Sequence, residues 1–162
     1  MKKRLLLALL SVQLCFMAGV AQELNVAQTK LRSDIEAFLK EEGFMPSIDT
    51  DGEIKFKREG VNYYIRVNEN NKSPMFVSLY APYSYPSDYS VEVFKQATIE
   101  LNLYKGVKVL CFEKSVRYQA EMFLTDAESF KQVFYKLISQ VATVHDAVAE
   151  ECGNVLKAQK AN

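Results

Sequence analysis

The chain has 162 residues, 20 basic and 20 acidic side chains, one histidine, three cysteines and no tryptophan. With 49% hydrophobic residues and only six glycines and four prolines, it is neither collagen-like nor low-complexity. Two or three cysteines in a chain of this size do not make a disulfide scaffold.

The first residues, Met1-Lys2-Lys3-Arg4, form a compact positive cluster. An uncharged apolar run follows to Val20, and Gly19 and Ala21 supply small residues at −3 and −1. This pattern predicts a cleavable secretory signal over residues 1–21. The apolar run of about 16 residues is short of the roughly 20 that a spanning helix needs. Val12-Gln13-Leu14 ahead of Cys15 lacks the small residue of a lipid-attachment site. No later run is long enough to span a bilayer. The expected address is therefore outside the cytoplasm, the periplasm first and the extracellular space second. Cleavage would remove Lys2, Lys3 and Arg4 from the 20 basic residues and no acid, leaving 17 against 20 and a net charge of −3. That excludes the broad basic footprint of a non-specific nucleic-acid binder.

Residues 22–28 read as a polar leader. A helix is predicted over 29–42, with Leu31, Ile35, Phe38 and Leu39 on one face and Gly43 as its stop. Residues 44–48 suit a short strand or an extended connection. Asp49-Thr50-Asp51-Gly52 is turn chemistry. Alternation over 53–57, 61–67 and 75–81, broken by Glu59-Gly60 and by a polar loop at 68–73, predicts a three-stranded antiparallel meander. A tyrosine-rich loop with Pro82 and Pro86 leads to a second helix over 90–103, stopped by Gly106. Strands over 107–112 and 116–124 are joined by Glu113-Lys114-Ser115. Thr125-Asp126-Ala127-Glu128 reads as a capping box, with Thr125 as cap and Glu128 reaching back, and opens a helix to about residue 150. Residues 151–162 are expected to be a polar, frayed tail. The result is one α+β domain over 29–150, in the order α-β-β-β-α-β-β-α, with one antiparallel five-stranded sheet packed against helices.

That order resembles the type III secretion chaperone-like fold, and within it the YbjN-type family of bacterial domains. The similarity is carried by the helix end Leu39-Lys40-Glu41-Glu42-Gly43-Phe44, the meander from Ile54 to Ala81, and Leu101-Asn102-Leu103-Tyr104 ahead of Lys108-Val109. The resemblance implies a binding or scaffolding module without enzymatic activity, often dimeric.

Catalytic chemistry finds little support in the residues themselves. His145 stands on or beside the apolar stripe of the last helix, where packing explains it better than catalysis. No cysteine–histidine spacing suits zinc. Asp49, Asp51 and Glu53 around Gly52 admit a calcium reading, but a solvated hairpin turn is favoured. Cys111 and Cys152 are expected to be free, Cys111 buried in a strand and Cys152 exposed in the tail, with a disulfide as the alternative. No cofactor is expected.

Strand periodicity singles out a surface. If Ile54, Phe56, Val61, Tyr63, Ile65, Met75, Val77, Leu79, Val107 and Val109 face the helices, the other sheet face carries an unusually aromatic set. It comprises Tyr64, Phe76, Tyr80, Leu110, Phe112 and Phe123 with Lys55, Lys57, Arg66 and Lys108. Such a face suits a protein partner, including a second copy of the chain. Tyr83, Tyr85 and Tyr89 form a second candidate, either a ligand-stacking loop or rings that shield the end of the core. The leading expectation is an exported non-enzymatic binding or chaperone-like module. The alternative is a periplasmic small-ligand or envelope-stress sensor.

Overall fold

The computed structural model describes residues 26–68, 73–87, 89–100 and 106–161. The predicted export signal, residues 22–25 of the leader and the end of the predicted second helix lie outside the described residues.

Helix α1 spans Val26–Glu41 and buries Leu31, Ile35, Phe38 and Leu39, the face that the periodicity predicts. It begins earlier than expected and takes in the last residues of the polar leader. Gln28 is fully buried, and its amide donates to the backbone carbonyl of Asn68. A buried amide needs such a partner, and this one comes from 40 residues away. At the C-terminal end Gly43 takes φ +83°, a conformation that costs glycine nothing. The Gly43 N–H donates to the Lys40 carbonyl and the Phe44 N–H to that of Leu39, a paired cap that turns Phe44 back onto the core.

Six strands follow rather than five: β1 Ser47–Ile48, β2 Ile54–Arg58, β3 Val61–Val67, β4 Met75–Ser84, β5 Val107–Cys111 and β6 Ser115–Leu124. They form one antiparallel sheet in the order β1-β2-β3-β4-β6-β5. The extra strand is only two residues long and pairs Ser47 with Lys55 and Ile48 with Ile54. The β2–β3 hairpin closes through Glu59 and Gly60, both at positive φ (51° and 87°), the tight turn whose twist matches its strands. β4 and β6 pair over ten positions, from Met75↔Leu124 to Ser84↔Ser115, and form the long central ribbon. Helix α2, Val91–Glu100, connects β4 to β5. It buries Val93, Phe94 and Ala97 and leaves Ile99 69% exposed.

Helix α3 runs from Ala127 to Ala161, 35 residues and about 52 Å at 1.5 Å per residue. Its cap is Asp126, not Thr125: the Asp126 carboxylate accepts from the Ser129 N–H at 2.9 Å and from the Ser129 hydroxyl. These bonds, the backbone one foremost, hold the Asp126 carboxyl below the usual carboxylate range. The expected capping box is thus displaced by one residue: the Asp126 carboxylate takes the Ser129 N–H, and the Thr125 hydroxyl donates to Asp126 at 3.0 Å instead of capping the helix. The helix also passes residue 150 without a break. Val144, Val148, Cys152 and Val155 continue the buried stripe, so the supposed tail has an apolar face to bury. Cys152 is accordingly the fully buried thiol and Cys111 the half-buried one, the reverse of the expectation.

All three helices contribute to one core with the inward residues of the sheet. Phe134 of α3 sits at its hub, with ring centroids of Phe38, Phe44, Phe56 and Phe130 between 5.3 and 5.8 Å away. Beside it, Tyr118 and Tyr83 pack around His145, whose ring stacks on Tyr83 at 4.2 Å. Burial pushes Tyr83 up to about 12, raises Tyr118 further, and also lifts Tyr85 to about 12.

Two outcomes are expected. Glu59 is a branchless but non-glycine residue at φ 51°, and its contact with Arg58 is too exposed to compensate. Glu59→Asn should raise unfolding free energy by about 0.5–1 kcal/mol, measured by urea denaturation. The raised tyrosines predict alkaline lability. They are neutral in both states below about pH 10. Between pH 10 and 12 the unfolded chain ionises them and the native core resists, so stability falls with rising pH. Urea midpoints across this range, alongside the tyrosinate absorbance, check the sign. A flat profile would contradict it.

Candidate functional site

With the helices on one side, the other side of the sheet is furnished by its own strands. The registers Lys55↔Tyr64, Tyr64↔Tyr80 and Tyr80↔Gln119 set these side chains in one row across β2, β3, β4 and β6. The rings of Tyr64 and Tyr80 stack at 5.3 Å with 12° between planes. The ammonium of Lys55 lies 5.6 Å from the Tyr64 ring. On the far side the Arg117 guanidinium lies 4.1 Å over Tyr80 and 5.5 Å from Phe112. The row Lys55–Tyr64–Tyr80–Arg117–Phe112 is therefore a continuous stack of cations and rings. Each such contact contributes about 0.5–2 kcal/mol. A second pair, Phe76 and Phe123, stands at the end of β4 and β6 with centroids 5.3 Å apart.

Beside this row on the same face stands Glu53, 3% exposed. One carboxylate oxygen accepts from the Arg66 guanidinium and the other from the Tyr80 hydroxyl. Burial and this bond to Glu53 raise the Tyr80 hydroxyl well above the ordinary tyrosine range. Glu53 was expected in a solvated acidic turn, so its placement is a correction. Only Asp49 of that turn organises the loop, accepting from the N–H groups of Asp51 and Glu53 at 3.0 and 2.9 Å. Glu53 has the parity of Lys55 and leaves the turn toward the sheet.

The structure brings the six predicted residues to one face but not to equal exposure. Phe123 is 65% and Phe112 45% exposed, Tyr64, Phe76 and Leu110 are half-buried, and Tyr80 is buried at 5%. Tyr80 thus organises the row from within, covered by Tyr64 and Arg117. Arg117, Gln119 and Glu121 belong to the same face and escaped the sequence reading. The alternation Val116, Tyr118, Ala120 of buried residues was the signal that would have found them. Glu121 pairs with Lys108 of the neighbouring strand. The Arg117 Nε is buried with no hydrogen-bond partner among the described residues.

The tyrosine loop is built differently. Tyr83 stacks on His145, Tyr85 on Phe94 at 4.3 Å, and Tyr89 lies 5.7 Å from Phe94. All three rings pack against the helix side of the core. The thiols are shielded: burial raises Cys111 and pushes Cys152 up to about 11, so neither is a ready nucleophile. A shallow cleft of about 360 Å³ between α1 and the start of α3 is lined by Asp34, Glu41, Asp126 and Glu128 with Lys131. Its Asp126 is engaged as a cap and Glu128 pairs with Lys131 at 2.6 Å. Among the described residues no group of three or more histidine, cysteine or acidic side chains could hold a metal ion, and no helix is long and apolar enough to cross a membrane.

No family model matches the chain, and no curated protein matches it significantly.

The buried anchor predicts its own energetics. Glu53→Ala should destabilise the fold by about 2 kcal/mol, because it strands the Tyr80 hydroxyl, while Tyr80→Phe should cost about 1 kcal/mol. Chemical denaturation of both variants checks the order. Equal stability of Glu53→Ala and the parent would show that the carboxylate anchors nothing.

Proposed function

We propose that this chain is an exported, non-enzymatic binding or chaperone-like module of the type III secretion chaperone-like, YbjN-type kind. It recognises a protein partner through the open face of its sheet. The observation that carries this reading is the exposure of Phe123 and Phe112 on a face already stiffened by the Tyr64–Tyr80–Arg117 stack. Exposed aromatics beside arginine are the composition of protein interfaces. Rings that are already stacked lose little conformational freedom when a partner arrives. The observed element order differs from the one that carried the family resemblance only by a two-residue strand, which supports the same reading.

Position-specific photo-crosslinking in the producing cell tests it. A photoreactive phenylalanine at position 123 or 112 should yield a covalent adduct with a discrete polypeptide. The same probe at position 133, on the outer side of α3, should not. Phe123→Asp should abolish the adduct from position 112 while leaving the thermal midpoint within about 2 °C, as expected for an exposed site. No adduct at either position, or equal adducts at all three, would sink the proposal.

A further inference from the structure

The open face has a charge of its own. Lys55, Lys57, Arg66, Arg117 and Lys108 stand on it against Glu53 and Glu121, a net +3. The chain after residue 21 is net −3, so the positive charge is concentrated where the aromatic rings are. Glu53 spends itself on Arg66 and Tyr80, and Glu121 on Lys108. Lys57 and Arg117 have no ion pair among the described residues, and the buried Arg117 Nε has no acceptor. Two copies meeting through this face would set like charge against like, which costs affinity and disfavours the pairing.

From this we infer that the occupant of the open face is an acidic, extended polypeptide segment with apolar side chains, and not a second copy of the chain. The inference rests on the proposed function and names the chemistry of its partner. From β2 to β5 the face spans four strand spacings, about 19 Å. An extended segment of about six residues covers that length. Its carboxylates meet Arg117 and the lysines, and its apolar side chains meet Phe112, Leu110 and the Phe76–Phe123 pair. Single-stranded nucleic acid and sugars also use rings set among cations, but they need free ring faces. Here Tyr80 is 5% exposed and covered by Tyr64 on one side and Arg117 on the other, so the middle of the row has no ring face left for stacking.

Panning a random phage-displayed peptide library on the purified protein tests this. The enriched peptides should carry Asp and Glu at no less than about twice the library share, interleaved with aromatic or aliphatic residues. A synthetic copy should lose about tenfold in affinity when salt rises tenfold from low ionic strength. The double variant Lys55→Glu, Lys57→Glu should weaken it about tenfold with unchanged circular dichroism. An enriched pool that is neutral or basic, or no enrichment, overturns the inference. So does tighter binding of alginate, a polyanionic sugar, than of any selected peptide, or a dimer in sedimentation equilibrium that Phe123→Asp dissolves. The two readings fail separately. A neutral pool that Phe123→Asp no longer binds overturns the acidic partner and keeps the open face. An acidic pool that Phe123→Asp binds as well as the parent overturns the open face itself.

Discussion

Phe134 holds the fold together. Its ring has no solvent exposure and is surrounded by Phe38 from α1, Phe44 from the turn that follows it, Phe56 from β2 and Phe130 from one turn earlier in α3. The first helix, the turn after it, β2 and the last helix therefore converge on one side chain. All four contacts are edge-on or tilted arrangements: Phe38 and Phe44 meet the ring edge-on, and Phe56 and Phe130 at about 45°. The Gly43 cap is what turns Phe44 toward this point, so a backbone detail at a helix end serves the core some 90 residues away.

Gathering every helix on that side leaves the sheet with an opposite face that must complete itself. A sheet buried on one side commonly shows a polar outer face. Here the outer face instead carries a stack of rings and cations beside a buried carboxylate. Glu53 is desolvated, and such a group is tolerated only when hydrogen-bonded and charge-paired, which Arg66 and Tyr80 accomplish together. The consequence is a surface whose middle is rigid and whose ends, at Phe112 and Phe123, stand free. Stability and recognition share residues there: Tyr80 is at once the partner of Glu53, the neighbour of Tyr64 and the platform for Arg117.

Much of this was legible in the residue pattern. Leu31, Ile35, Phe38 and Leu39 announce α1 by spacing alone, and the alternation from Ile54 to Leu79 announces the meander. The aromatic parity of Tyr64, Phe76, Tyr80 and Phe123 was visible too, because period two is a property of any strand. What escaped was set by partners distant in sequence. Glu53 looks like one more acid in an acidic turn until the β2–β3 register brings Arg66 beside it. Cys152 looks like a tail residue until α3 is seen to continue. The expected capping box missed by one position because Thr125 and Asp126 are both capping residues, and only geometry distinguishes them.

Among the described residues, sequence alone determined the three helices, five of the six strands and the two-sidedness of the sheet, since these follow from local periodicity and turn chemistry. The tertiary structure decided which side chains of the aromatic face are free and which are spent. Tyr80 and Phe123 have the same parity and the same aromatic character, yet one is buried and the other mostly exposed. The difference arises from neighbours across strands: Tyr80 is flanked by Tyr64 and Arg117 in the middle of the row, and Phe123 has only Phe76 at its end. Exposure depends on what stands on both sides of a residue in space, and a linear pattern records only what stands before and after it in the chain.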